Sequence, residues 1–135
     1  DEEIQAAIEI GSPLAISAIF GERNSADGIE VMIAYKNISK KPMKYVYFNV
    51  AAVNPLGEFL AGKIRRKEIN KLKDTGPISQ GSWGEYPKWK NAIYQGQATR
   101  LAIISADIVY MDGSTQKIEG LSKIKSAIGP VEAKL

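Results

Sequence analysis

The chain contains no cysteine and no histidine. The first absence removes disulfides, thiol nucleophiles and thiolate metal ligands. The second removes imidazole ligands and imidazole general bases. Ser-His-Asp and Cys-His catalytic arrangements are therefore excluded, which leaves carboxylate or lysine chemistry, or none, and no enzyme is expected. No run approaches the roughly 20 apolar residues that a membrane-spanning helix requires. The apolar-rich tract Leu101 to Met111 is strand-length and is broken by Ser105 and Asp107. Excess charge is lacking too: 18 Lys and Arg stand against 15 Asp and Glu, a net charge of +3. There is no internal repeat and no low-complexity segment. The sequence begins at Asp1, without Met and without a basic, apolar leader. That start is expected of an exported chain whose leader has been removed, and a trimmed cytosolic chain would look the same.

What is present suits one soluble globular domain spanning residues 1–135, with 44% hydrophobic and 24% charged residues. Acids followed by Ile4, Ala7 and Ile8 at helical spacing predict a short helix over 2–10, stopped before Gly11-Ser12-Pro13. Leu14 to Phe20 reads as a strand with Leu14, Ile16, Ala18 and Phe20 on one face. Ile29, Val31, Ile33 and Tyr35 form the next apolar face, and Val46, Phe48, Val50 and Ala52 the third. Phe59 to Leu72 fits either a strand leading into a basic loop or a short helix. Ala98 to Tyr110 reads as a long strand with Ile104, Ala106, Ile108 and Tyr110 facing one way. Asp112-Gly113 marks a two-residue hairpin turn. Leu121, Ile124 and Ile128 predict a closing helix over 121–128. About seven strands, with turns every ~8–12 residues, indicate an all-β antiparallel sandwich with its core at about 13–119.

Three separated segments carry a resemblance. The first is KNISKKPMKYVYFNVAAVNPLGE, with Asn37, Ser39, Lys41, Met43, Lys44, Tyr45 and Val46, then Asn54 and Gly57. The second is GPISQGSWGEYPKWKNAIY, with Gly76, Pro77, Ile78, Gly81, Trp89, Asn91 and Tyr94. The third is ADIVYMDGSTQKI, with Ile108, Tyr110, Met111, Asp112, Gly113, Ser114 and Ile118; Ala106 stands where the pattern has Ile. Together, across Ile29 to Ile118, they resemble a family of bacterial exported domains of unassigned function. The resemblance implies an immunoglobulin-like antiparallel β-sandwich; the short terminal helices, read from residue spacing, and the basic insert at Lys63 to Lys73 lie outside its pattern. It also implies a non-enzymatic module in the periplasm or outside the cell, free or lipid-anchored, with no active-site motif and no cofactor to carry over.

Two constellations remain after the strands are placed. Lys63, Arg65, Arg66, Lys67, Lys71 and Lys73 crowd one segment that holds a single acid, Glu68. They suit an anionic partner, be it an acidic protein, lipid headgroups or nucleic acid, or simply form a solvated face. Trp83, Tyr86 and Trp89 suit a stacking platform, or else pack over the sandwich and cap a loop. Tyr45 and Tyr47 add aromatic area on the solvent side of the third strand. The scattered acids show no calcium-loop spacing. The expectation is a non-catalytic exported binding or assembly module with a protein partner, peripheral membrane association staying open. The alternative is a nucleic-acid-binding small β-barrel using residues 63–73, which is the less expected of the two.

Overall fold

In the computed structural model of the chain, which describes residues 2–84, 86–119 and 128–135, the alternating runs become strands of two antiparallel sheets. Helix α1 (Glu2–Glu9) precedes them, as expected, and places Ala7 in the core. The smaller sheet holds β1 (Leu14–Arg23), β2 (Gly28–Asn37) and β6 (Lys88–Tyr94), with β2 in the middle. The larger is built on β3 (Met43–Val53) and β7 (Arg100–Tyr110), paired along their lengths. β4 (Phe59–Leu60) and β5 (Ile69–Ile78) line the free side of β3, while β8 (Thr115–Ile118) and β9 (Glu132–Lys134) line the free side of β7. The chain changes sheets between β2 and β3, between β5 and β6, and between β6 and β7. Such crossings make an all-β antiparallel sandwich. The sheets remain separate, so the small barrel of the alternative reading is not the fold.

The inward faces of β2 and β3 are those the alternation predicts: Ile29, Val31, Ile33, Tyr35, Val46, Phe48, Val50 and Ala52 are all fully buried. Aromatic rings bridge the sheets. Phe48 meets Tyr35 edge-on at 5.1 Å and Trp89 at 6.2 Å. Such contacts add about 0.5–1.5 kcal/mol each beyond area burial.

Several strand expectations need correction. In β1 the register slips between Ile16 and Ala18. The bulge inserts one residue and reverses the alternation, so Ile19 is buried and Phe20 is exposed. In β7 a second slip lies opposite Asn49 and Val50. It puts Ile103 in the core and turns Ile104 outward, against Ala51, Val53 and Ala102. The β7–β8 hairpin has a three-residue loop, Met111 to Gly113, rather than a two-residue one. Tyr110 N–H donates to Ser114 O at 2.8 Å, and Gly113 takes φ 85°. The core also reaches past residue 119: Ile128, Val131 and Ala133 join it. That last segment straps one side of the sandwich, for Ile16 N–H donates to Ile128 O at 2.6 Å and Ile103 N–H to Val131 O at 2.7 Å. The helix expected over 121–128 lies, apart from Ile128, outside the described residues.

Candidate functional site

Strand alternation puts Tyr45, Tyr47 and Asn49 on the outer face of the larger sheet. Register then fixes their neighbours. Tyr47 lies between Lys73 of β5 and Asp107 of β7, and Asp107 in turn pairs with Lys117 of β8. Asn49 lies between Lys71 and Ser105. The lysines lean over the rings. Lys73 Nζ stands 4.0 Å from the Tyr45 ring centre and 5.9 Å from that of Tyr47. Lys71 lies 5.0 Å above Tyr47, and Lys44 lies 5.3 Å above Tyr45. The two rings are 6.2 Å apart and tilted by 52°, so they do not form a flat stacking shelf. They act as polarisable seats for ammonium groups.

Asp107 organises the middle of this face. Its carboxylate accepts from Asn49 Nδ2 at 3.0 Å and lies 3.6 Å from Lys71 Nζ and 4.0 Å from Lys117 Nζ. Asn49 Nδ2 also donates to Ser105 Oγ at 2.8 Å. One carboxylate thus holds two lysines, and Lys117 also approaches Glu119 at 3.4 Å. Among the described residues, no carboxylate lies within ion-pair distance of Lys44 or Lys73. The face keeps a positive excess.

The basic segment divides between a loop and a strand. Residues 63–65 form a turn, and β5 begins at Ile69, so the segment is a loop running into a strand rather than a helix. Lys63 N–H donates to Tyr94 O at 2.8 Å, and Arg66 N–H donates to Gly62 O at 2.9 Å, which ties the loop to the end of β6. Lys63 Nζ reaches Asp27 at 3.9 Å. Arg65, Arg66 and Lys67 are exposed and have no ion-pair partner among the described residues. They precede β5 in the chain, and the loop that carries them is anchored on Tyr94 of β6 and on Asp27.

The three aromatics of the second constellation do not converge. Trp89 closes the seam between the sheets, its ring against Phe48 and its Nε1–H donating to Lys73 O at 2.9 Å. Trp83 bridges to Lys36, whose Nζ stands 5.6 Å from the indole centre. Tyr86 is exposed at φ 52°. Among the described residues no ring contact joins any two of them, so the stacking platform is not formed.

Two residues central to this region are not singled out as site residues by the sequence. Asn37 is fully buried. Its Nδ2 donates to Lys41 O at 2.9 Å and Ile78 O at 2.8 Å, and its Oδ1 accepts from Ser39 N–H at 2.9 Å. Its backbone bonds Ser82 and Gly81, so it locks the β2–β3 turn to the β5–β6 loop. The Asn-x-Ser spacing of an Asx turn is the signal that marks it. Asp74 is the other. It accepts the hydroxyl proton of the fully buried Tyr35 at 2.5 Å. Burial first, then the bond to Asp74 and its charge, push the Tyr35 phenol far above the ordinary tyrosine range. Beside this pair opens a cleft of about 350 Å³ between β5 and residues 82–84.

At the β7–β8 hairpin, whose Met111 N–H donates to Pro42 O of the β2–β3 turn, Asp112 is held down to about 2 by the Ser114 hydroxyl, the Ser114 N–H and the Lys41 ammonium. Among the described residues no three carboxylates gather into a metal-holding group. The chain matches no protein-family model, no curated protein and no solved structure.

Proposed function

We propose that this chain is a non-catalytic binding or assembly module of an exported protein. Its recognition surface is the outer face of the larger sheet, and its partner is an acidic protein surface. The observation that carries this reading is the set Lys44, Lys71 and Lys73, seated over Tyr45 and Tyr47 with Asp107 as the carboxylate among them. Lysines held on rings are pre-positioned and lose less side-chain entropy on meeting a carboxylate than free ones would. The exposed Arg65, Arg66 and Lys67 add further positive charge and favour rapid encounter with an acidic partner. Export rests on the resemblance across Ile29 to Ile118 and on nothing in the geometry.

A glutamate-rich peptide titrated into the labelled protein should shift backbone amides of β3, β5 and the 63–67 loop. The Lys71→Ala/Lys73→Ala pair should weaken that binding roughly tenfold without lowering the melting temperature, since exposed lysines contribute little to stability. Unchanged binding in that variant, or shifts confined to other surfaces, would overturn the reading. A single-stranded oligonucleotide that binds with a steep salt dependence, better than the peptide, would favour the nucleic-acid alternative. No oligonucleotide binding at ~50 mM salt would dispose of that alternative.

A further inference from the structure

We infer that the cleft between β5 and the 82–84 segment is a site for a primary alkylammonium group, with Asp74 as its anionic anchor and the Trp83 indole as its wall. Asp74, Thr75, Ser79, Ser82 and Trp83 line this cleft, and Asp74 is the only charged residue among its described lining residues. Among the described residues, the Asp74 carboxylate takes one side-chain hydrogen bond, from Tyr35. No lysine or arginine among the described residues lies within ion-pair distance of it. An ionised carboxylate can accept about four hydrogen bonds, so most of its capacity is unused. Satisfying the buried phenol does not require a charge, because a neutral amide oxygen would accept the same proton. The negative charge is therefore surplus to the structural need, and it faces a cleft with hydroxyl acceptors and an indole.

The walls are pre-formed. Asn37 fixes Ile78 O from one side and bonds Ser82 and Gly81 from the other. A Cβ on Gly84 would stand 2.6 Å from the Tyr35 ring, and one on Gly76 would collide with Met43 O, so each side of the cleft is packed closely on the strand behind it. The indole already attracts one ammonium, that of Lys36, which shows the ring's electrostatic preference. This site does not depend on the lysine face: its ligand carries the opposite charge, and either can exist without the other.

The test is an amide-shift titration of the full chain with N-acetyl-lysine methylamide and with cadaverine. N-acetyl-norleucine methylamide serves as the uncharged control. Shifts at Thr75–Ser79, Ser82–Gly84 and the Trp83 indole N–H are expected with the ammonium probes and absent with norleucine. Binding of both probes supports a site for free amines as well as side chains. Binding of the lysine probe alone supports a peptide side chain as the source. Asp74→Asn keeps an acceptor for Tyr35 and should weaken binding roughly tenfold or more, the scale of one hydrogen bond to a charged group. Trp83→Ala, on an exposed loop, should weaken it independently and covers the case in which the Asp74 variant does not fold. No cleft shift with either probe up to about 50 mM, weaker than any useful millimolar site, overturns the inference. So does equal binding by the norleucine control, or undiminished binding by both variants.

Discussion

Replacing Tyr35 by phenylalanine deletes one oxygen where the core meets the Asp74 cleft and leaves the ring packing on Phe48 intact. The residue is fully buried and its hydroxyl bonds Asp74 at 2.5 Å. A hydrogen bond to a charged acceptor contributes about 1.5–3 kcal/mol. Asp74 is half-buried, so water partly replaces the lost donor, and the net loss near neutral pH should be about 1–2 kcal/mol. The informative part is alkaline. An unfolded tyrosine ionises near pH ~10, whereas Tyr35 keeps its proton in the fold because burial and Asp74 both oppose its ionisation. Above that pH the native state binds the extra proton, so its stability falls as pH rises. The fall attributable to this one group is up to about 1.4 kcal/mol per pH unit. The phenylalanine variant carries no such penalty. The wild-type advantage over Tyr35→Phe should therefore be present below pH ~10, shrink above it, and vanish or reverse near pH ~11–11.5. Urea unfolding followed by tryptophan fluorescence, run on both proteins from about pH 8 to 11.5, reads this difference directly, and lysine titration cancels between them. A constant stability gap across that range would refute the reasoning, since Tyr35 would then be ionising as freely in the fold as in the unfolded chain.

Gly129 should tolerate no side chain: it has φ 111°, and a Cβ there would collide with Ile16 O. Gly129→Ala should lower stability by at least about 2 kcal/mol and speed hydrogen exchange at Ile16, whose amide bonds Ile128 O; wild-type exchange there would count against the strap. Asp112, held to about 2, should titrate below the ordinary carboxylate range in a carbon-detected pH series. Ser114→Ala should raise its midpoint more than Lys41→Ala does, because the Ser114 hydroxyl is the largest of the influences that hold it down. The sign is that of a depressed acid: its contribution is complete above the ordinary carboxylate range and fades as pH falls towards 2.

The alternation of β2 and β3 is legible because each strand has one uninterrupted apolar face with period two. β1 and β7 mislead for the same reason. In each, an extra residue shifts the phase, and Phe20 or Ile104 looks as apolar as the residue that replaces it inside. A bulge leaves no compositional mark when both candidate faces are hydrophobic. The last seven residues fall outside the core expected at about 13–119 because GPVEAKL offers only one short alternation, yet Ala133 pairs with Leu101. Of the candidate site, Tyr45, Tyr47 and the lysines read from sequence as neighbours of solvent. Their assembly depends on the β3–β5 and β3–β7 registers, which no local pattern specifies. Trp89 reads the same from sequence whether it packs or stacks. Tyr35 and Asp74 are 39 residues apart, and neither residue announces the other.

Lysines along β5 admit a second explanation that must be weighed against recognition. Edge strands often carry lysine to prevent pairing with another chain, and β5 is the edge of its sheet. The geometry separates the two roles. A charge that guards an edge projects away from it, whereas Lys71 and Lys73 turn back over Tyr45 and Tyr47 of the adjacent strand, at 4.0–5.9 Å from the ring centres. The edge has a cover of its own: Trp89 Nε1–H occupies Lys73 O, and the β6 seam lies beside it. Pro77 removes one further donor from the strand. Trp89 and Pro77 thus already blunt part of this edge. The charge of the two lysines is concentrated on the sheet face instead, which is where a partner's carboxylates would have to arrive.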